Sequence, residues 1–140
     1  MDRIQKSLKA TGMPNFEIGA IRRYIVFVTV TVVAFAMAYY ALMEQSIRYS
    51  DAINADFAKV TQRKRTKPPI PAGPAGWLYL GEGEALEQSR DYHDVLSALY
   101  FSLSVQSTLG PPHYPPNKAW KLLTGLHILF VLTAAALSIS

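Results

Sequence analysis

Asp91, His93 and Asp94 bring together side chains that bind divalent metals or exchange protons. Carboxylates and imidazoles are common metal ligands, and the same pairing suits general acid–base work. Standing just before an apolar run, they also read as a helix cap with solvated neighbours. His127 lies inside a long apolar stretch, where a polar ring is costly and a functional role is the default reading; a histidine bonded to a neighbouring helix meets the same constraint. His127, Val131, Ala134 and Ser138 recur at i, i+4, i+7 and i+11. That face of small and polar groups could line a cavity, or let two helices approach closely. A fourth candidate is the loop Ser107, Thr108, Leu109, Gly110, Pro111 and Pro112, followed by His113, Tyr114, Pro115 and Pro116. Arg63, Lys64, Arg65 and Lys67 form a basic knot, readable as a phosphate-binding patch, a nuclear signal or a solvated loop edge. No catalytic triad, phosphate loop or nucleotide-binding signature is present, so no enzyme, cofactor or resident metal is expected. With no cysteine, disulfides, thiolate metal sites, thiol nucleophiles and S-palmitoylation are excluded.

The elements that must position these residues are set by composition. Half of the 140 residues are hydrophobic and only 17% are charged, which excludes a disordered chain. The apolar residues fall into two long blocks, which argues against an ordinary soluble globule. Tyr24 to Met43 is an uncharged run whose clearly polar members are Thr29 and Thr31. As helix it covers roughly 30 Å, the thickness of a hydrocarbon core. Both threonines can return their hydroxyls to the backbone. The second block, Leu122 to Ile139, is also long enough to span. An alternative for the first block is a secretory signal, with Ala34, Phe35 and Ala36 as a small-x-small cleavage pattern; the apolar run continues past it through Leu42.

The net charge of +4 is unevenly spread and suits a membrane surface better than nucleic acid, which is not an expected partner. The first twenty-three residues hold five basic side chains against two acidic, and Arg22 and Arg23 abut the first span. The connection from Glu44 to Lys118 is neutral. Positive residues stay on the cytoplasmic side, so both termini are expected in the cytoplasm. Residues 1–23 form the cytoplasmic N-terminal segment, with Ile4 and Leu8 one turn apart before Gly12 and Pro14. Residues 24–43 form the first transmembrane helix and 44–93 a turret-like extramembrane segment. Helix is expected to continue from Glu44 to about Gln62, with Ile53, Phe57 and Val60 on one face. The run from Pro68 to Gly76 reads as a stiff extended linker. Trp77 to Leu80 reads as an interfacial anchor or short strand, and Glu84 to Arg90 as one or two helical turns.

Residues 94–118 hold the informative stretch. Asp94 is a helix N-cap candidate before the mostly apolar Val95 to Gln106, too short to cross a bilayer. A short apolar helix just before the second span, 119–140, reads as re-entrant. It would direct its negative end toward the centre, where a cation is stabilised. The fold class is therefore an all-α membrane protein: two transmembrane helices with a re-entrant pore helix and filter-like loop between them.

Tyr100 and Phe101, then Gln106, Ser107, Thr108, Leu109 and Gly110, resemble the pore helix and filter entry of potassium channels, where an aromatic-rich helix leads into Thr-Val-Gly-Tyr-Gly. The small two-span potassium channels of large algal DNA viruses are similar again in the second span, at Ala119, Lys121, Leu122, Thr124, His127 and Ile128. The resemblance covers roughly residues 94 to 140; residues 44–93 far exceed the turret of those channels. It implies a tetrameric cation pore in a host or virion membrane, carrying a permeant monovalent cation. Pro111 and Pro112 depart from it, standing where the signature has its aromatic and second glycine, and His113 replaces the following aspartate. Proline fixes φ and lacks an N–H, so the outer half of such a filter cannot be preserved. Weak or lost K⁺ selectivity is expected. The alternative is a non-conducting structural membrane protein derived from a channel, its extramembrane segment docking a viral capsid or internal membrane layer.

Overall fold

The computed structural model describes residues 3, 4, 6, 18–61, 73–107 and 117–139. Helix α1 is Ile18–Thr61, a 3-10 turn is Pro74–Trp77, α2 is Glu84–Asp91, α3 is Val95–Gln106 and α4 is Lys118–Ile139. Among the described residues there is no strand, so the fold is all-α. Helices α1 and α4 are each long and apolar enough to cross a membrane, whereas α3 is apolar but only twelve residues long. Thr108, Leu109, Gly110, Pro111 and Pro112, and the basic knot at Arg63 to Lys67, lie outside the described residues.

The chain divides into two units, residues 1–31 and 32–140. In the first, α1 exposes Tyr24, Ile25, Val26 and Val30. Its two threonines are silenced as polar groups: the hydroxyl of Thr29 donates to the Ile25 carbonyl and that of Thr31 to the Phe27 carbonyl, both at 2.8 Å.

In the second unit one face of α1 carries the core. Ala36, Tyr39, Met43 and Ile47 are buried at helical spacing. Ser46, Ser50 and Asn54 continue that side of the helix in polar form. Asn117 at the entry of α4 donates to Ser46 Oγ (3.0 Å), Trp120 stacks obliquely on Tyr39 (4.9 Å between centroids), and His127 stacks flat on Phe35 (3.8 Å, 4°). Residues later in α4 thus meet residues earlier in α1, so the two helices run antiparallel. Their opposite faces, including Met37 on α1 and Leu122, Leu126 and Leu129 on α4, are exposed and apolar. Such a surface suits lipid and not water.

Beyond Met43 helix α1 continues for about 27 Å and organises the segment that follows the 3-10 turn. Ser50 Oγ accepts from the Leu80 amide (2.9 Å), Asn54 Nδ2 donates to the Gly81 carbonyl (3.1 Å), and the Tyr79 hydroxyl donates to Asn54 Oδ1 (3.0 Å). Burial, and then nearby Glu82, push the Tyr79 phenol pKa up. Residues 78–81 are therefore irregular backbone pinned to a helix, not paired in a strand. Pro74 opens a 3-10 turn inside the run expected to be fully extended, because a proline in the first turn has no N–H to leave unpaired. The chain then enters α2 through Gly83, whose φ of 60° and ψ of −130° favour glycine. An Arg90–Asp51 ion pair at 2.5 Å ties α2 back to α1.

Candidate functional site

The candidate site is α3 and the residues that hold it between α1 and α4. Its start is fixed by Asp94, in extended conformation, whose carboxylate accepts from the Ser97 amide at 2.7 Å and the Ser97 hydroxyl at 2.6 Å. The hydroxyl, then the amide, of Ser97 hold the Asp94 carboxyl pKa below its ordinary value. Ala98, Phe101, Ser102 and Val105 form the buried face of α3, while Leu96, Tyr100 and Leu103 are exposed.

Three contacts set the depth of this helix. Phe101 meets Tyr39 edge-to-face at 4.7 Å and Trp120 at 5.3 Å. Ser102, fully buried, donates to the Val32 carbonyl at 2.8 Å. Gln106, in the last turn, reaches His127, with 3.3 Å between Oε1 and Nε2. Val32 lies about 16 Å along the axis from Met43, near the middle of the apolar run. The carboxyl end of α3 therefore sits alongside the middle of the apolar run of α1 and of α4, where its Ser102 and Gln106 are met by the Val32 carbonyl and by His127.

His127 is enclosed by its own chain. Besides Gln106 and the Phe35 ring, its Nδ1 lies 3.3 Å from the Tyr39 hydroxyl. A neutral ring protonated at Nε2 satisfies both partners, the Tyr39 hydroxyl donating to Nδ1 and Nε2–H donating to Gln106 Oε1. One polar chain thus joins α1, α4 and α3. Val131 and Ala134, on the same face of α4, are half-buried. The side chain of Ser138 lies outside the described residues. Ser107 caps the end of α3, its amide donating to the Leu103 carbonyl at 2.9 Å.

No protein-family model, curated protein or solved structure matches this chain. The candidate site consequently rests on its own geometry.

Asp91, His93 and Asp94 do not converge on a metal. No group of three His, Cys, Asp or Glu side chains could hold one among the described residues, and His93 instead stacks on Tyr40 at 4.6 Å. The residue that sequence reasoning passed over is Asn117. It caps α4 by accepting from the Trp120 amide (2.9 Å) and donates to Ser46 Oγ and the Leu78 carbonyl (3.2 Å). The signal was available: an asparagine directly after a proline run and before an apolar helix is a helix-start pattern.

Proposed function

We propose that this chain is a subunit of a cation-conducting pore of degenerate potassium-channel type, with two membrane spans and α3 as a re-entrant pore helix. One observation carries the reading: a twelve-residue apolar helix is anchored at Ser102 and Gln106 to the middle of the apolar run of α1 and of α4, when nothing in its length would let it cross a bilayer. A short helix at that depth is tolerable in lipid only if its end is covered by protein or lines a wet cavity. Its carboxyl end carries the negative pole of the helix dipole, which favours a cation beyond Ser107. In this reading Thr108 and Leu109 supply the remaining inner ion sites. The pore-lining candidates on α4 are His127, Val131, Ala134 and Ser138; of these His127, enclosed by its own chain, positions α3 instead. One subunit contributes one pore helix and cannot enclose an axis, so subunits close in a ring, fourfold by resemblance.

A non-conducting structural role is the second reading, favoured by the stapling of residues 78–81 and α2 onto α1 beyond Met43, a prebuilt platform that a pore does not need. The two readings separate in liposomes loaded with a potassium-sensitive dye. The pore predicts cation entry in proportion to reconstituted protein, increased by the double substitution Pro111→Tyr and Pro112→Gly, which restores backbone freedom. Assembled but silent protein in both forms would support the structural reading.

A further inference from the structure

A cavity of about 540 Å³ opens where α1 leaves its apolar run, and the pore reading makes no use of it. Its volume falls in the range that holds small organic ligands. The walls are largely aromatic: Tyr39, Tyr40, Tyr100, Phe101 and Trp120 all line it. Asp94, at the rim, is the lining residue with a fixed charge, and it is negative. Ring faces beside a carboxylate recognise organic cations, above all quaternary ammonium, which is weakly hydrated and needs no hydrogen-bond acceptor.

A second observation narrows the ligand. The cavity lies beside Tyr39 and Met43, at the end of the apolar run of α1, and Trp120, in the first turn of α4. That is the level at which tyrosine and tryptophan meet lipid headgroups.

We propose that this cavity binds a phosphocholine group, its trimethylammonium seated beside Asp94 against the exposed ring of Tyr100. The group is common to a membrane lipid and to a free water-soluble ester, and the experiment distinguishes them. Full-length protein in a maltoside detergent is titrated calorimetrically with glycerophosphocholine, with dihexanoylphosphatidylcholine below its micellar concentration, and with dihexanoylphosphatidylglycerol. Saturable binding of either choline compound, with none of the glycerol analogue, is expected. Uptake of the acylated compound alone assigns the site to lipid, and uptake of both admits the free ester. Asp94→Asn keeps a capping oxygen while removing the charge, and Tyr100→Leu removes a ring from an exposed position; each should weaken binding about fivefold. Equal affinity for the glycerol analogue, no binding at all, or unchanged affinity in both variants would overturn the proposal. The readout involves no current, so it stands or falls separately from conduction.

Discussion

Asn117 concentrates several jobs in one amide: it caps α4, holds Ser46 on α1 and secures the Leu78 carbonyl. Asn117→Ala removes the cap and strands buried polar partners, so unfolding in detergent should show a loss of about 2–3 kcal/mol. Asn117→Asp keeps the capping oxygen but not the two donated bonds and should fall between. Asp94 supplies the pH dependence. Its native carboxyl pKa is lowered by the Ser97 bonds, so its contribution is fully present above the unfolded value of about 3.9 and is lost as pH falls through the native value. Asp94→Asn should remove that part of the acid sensitivity, read as midpoint temperatures between pH 6 and pH 3 that converge with wild type at the acid end. Asp94 was legible because an acidic residue before an apolar helix has a local meaning. The pairing of His127 with Tyr39 and Gln106 was not, since a single sequence says that a buried histidine needs partners without saying which helix supplies them.

The long elements were legible for the same physical reason that they form. An uncharged apolar run such as Tyr24 to Met43 must satisfy its backbone internally in lipid, and helix does so residue by residue. The segment after the proline run was less legible. Trp77 to Leu80 has strand-like residues, but the Leu80 amide is taken by Ser50 of α1 and the Leu78 carbonyl by Asn117 at the entry of α4, a tertiary override that no local pattern encodes. Depth of α3 is likewise a packing result. Ser102 is fully buried against the Val32 carbonyl and leaves no room for a larger side chain. Ser102→Leu should therefore overpack the junction and cost about 1–3 kcal/mol, whereas Ser102→Ala should cost about 1 kcal/mol. Denaturant titrations of the two variants in the same detergent check the order. A larger loss for alanine than for leucine would mean that α3 is held mainly by that hydrogen bond and not by close approach.

For the whole molecule, the basic pair Arg22 and Arg23 beside the first candidate span is the ground for expecting one orientation, which the fold itself leaves open. Both termini in the cytoplasm predicts that protease applied to the cytoplasmic face trims the first twenty residues and spares Arg63 to Lys67. Cleavage at Arg63 to Lys67 from that face would reverse the topology, and with it the side from which ions meet the proline-containing loop. The most direct measurement of the pore is the reversal potential of purified protein in a planar bilayer with K⁺ on one side and Na⁺ on the other, chloride equal on both. In the proposed pore, where Pro111 and Pro112 would remove the outer filter, partly hydrated cations should pass with little discrimination, placing the reversal close to zero, and a salt gradient should then shift it toward the cation equilibrium potential. Silence across independent reconstitutions, or a shift toward the chloride potential, would contradict a cation pore.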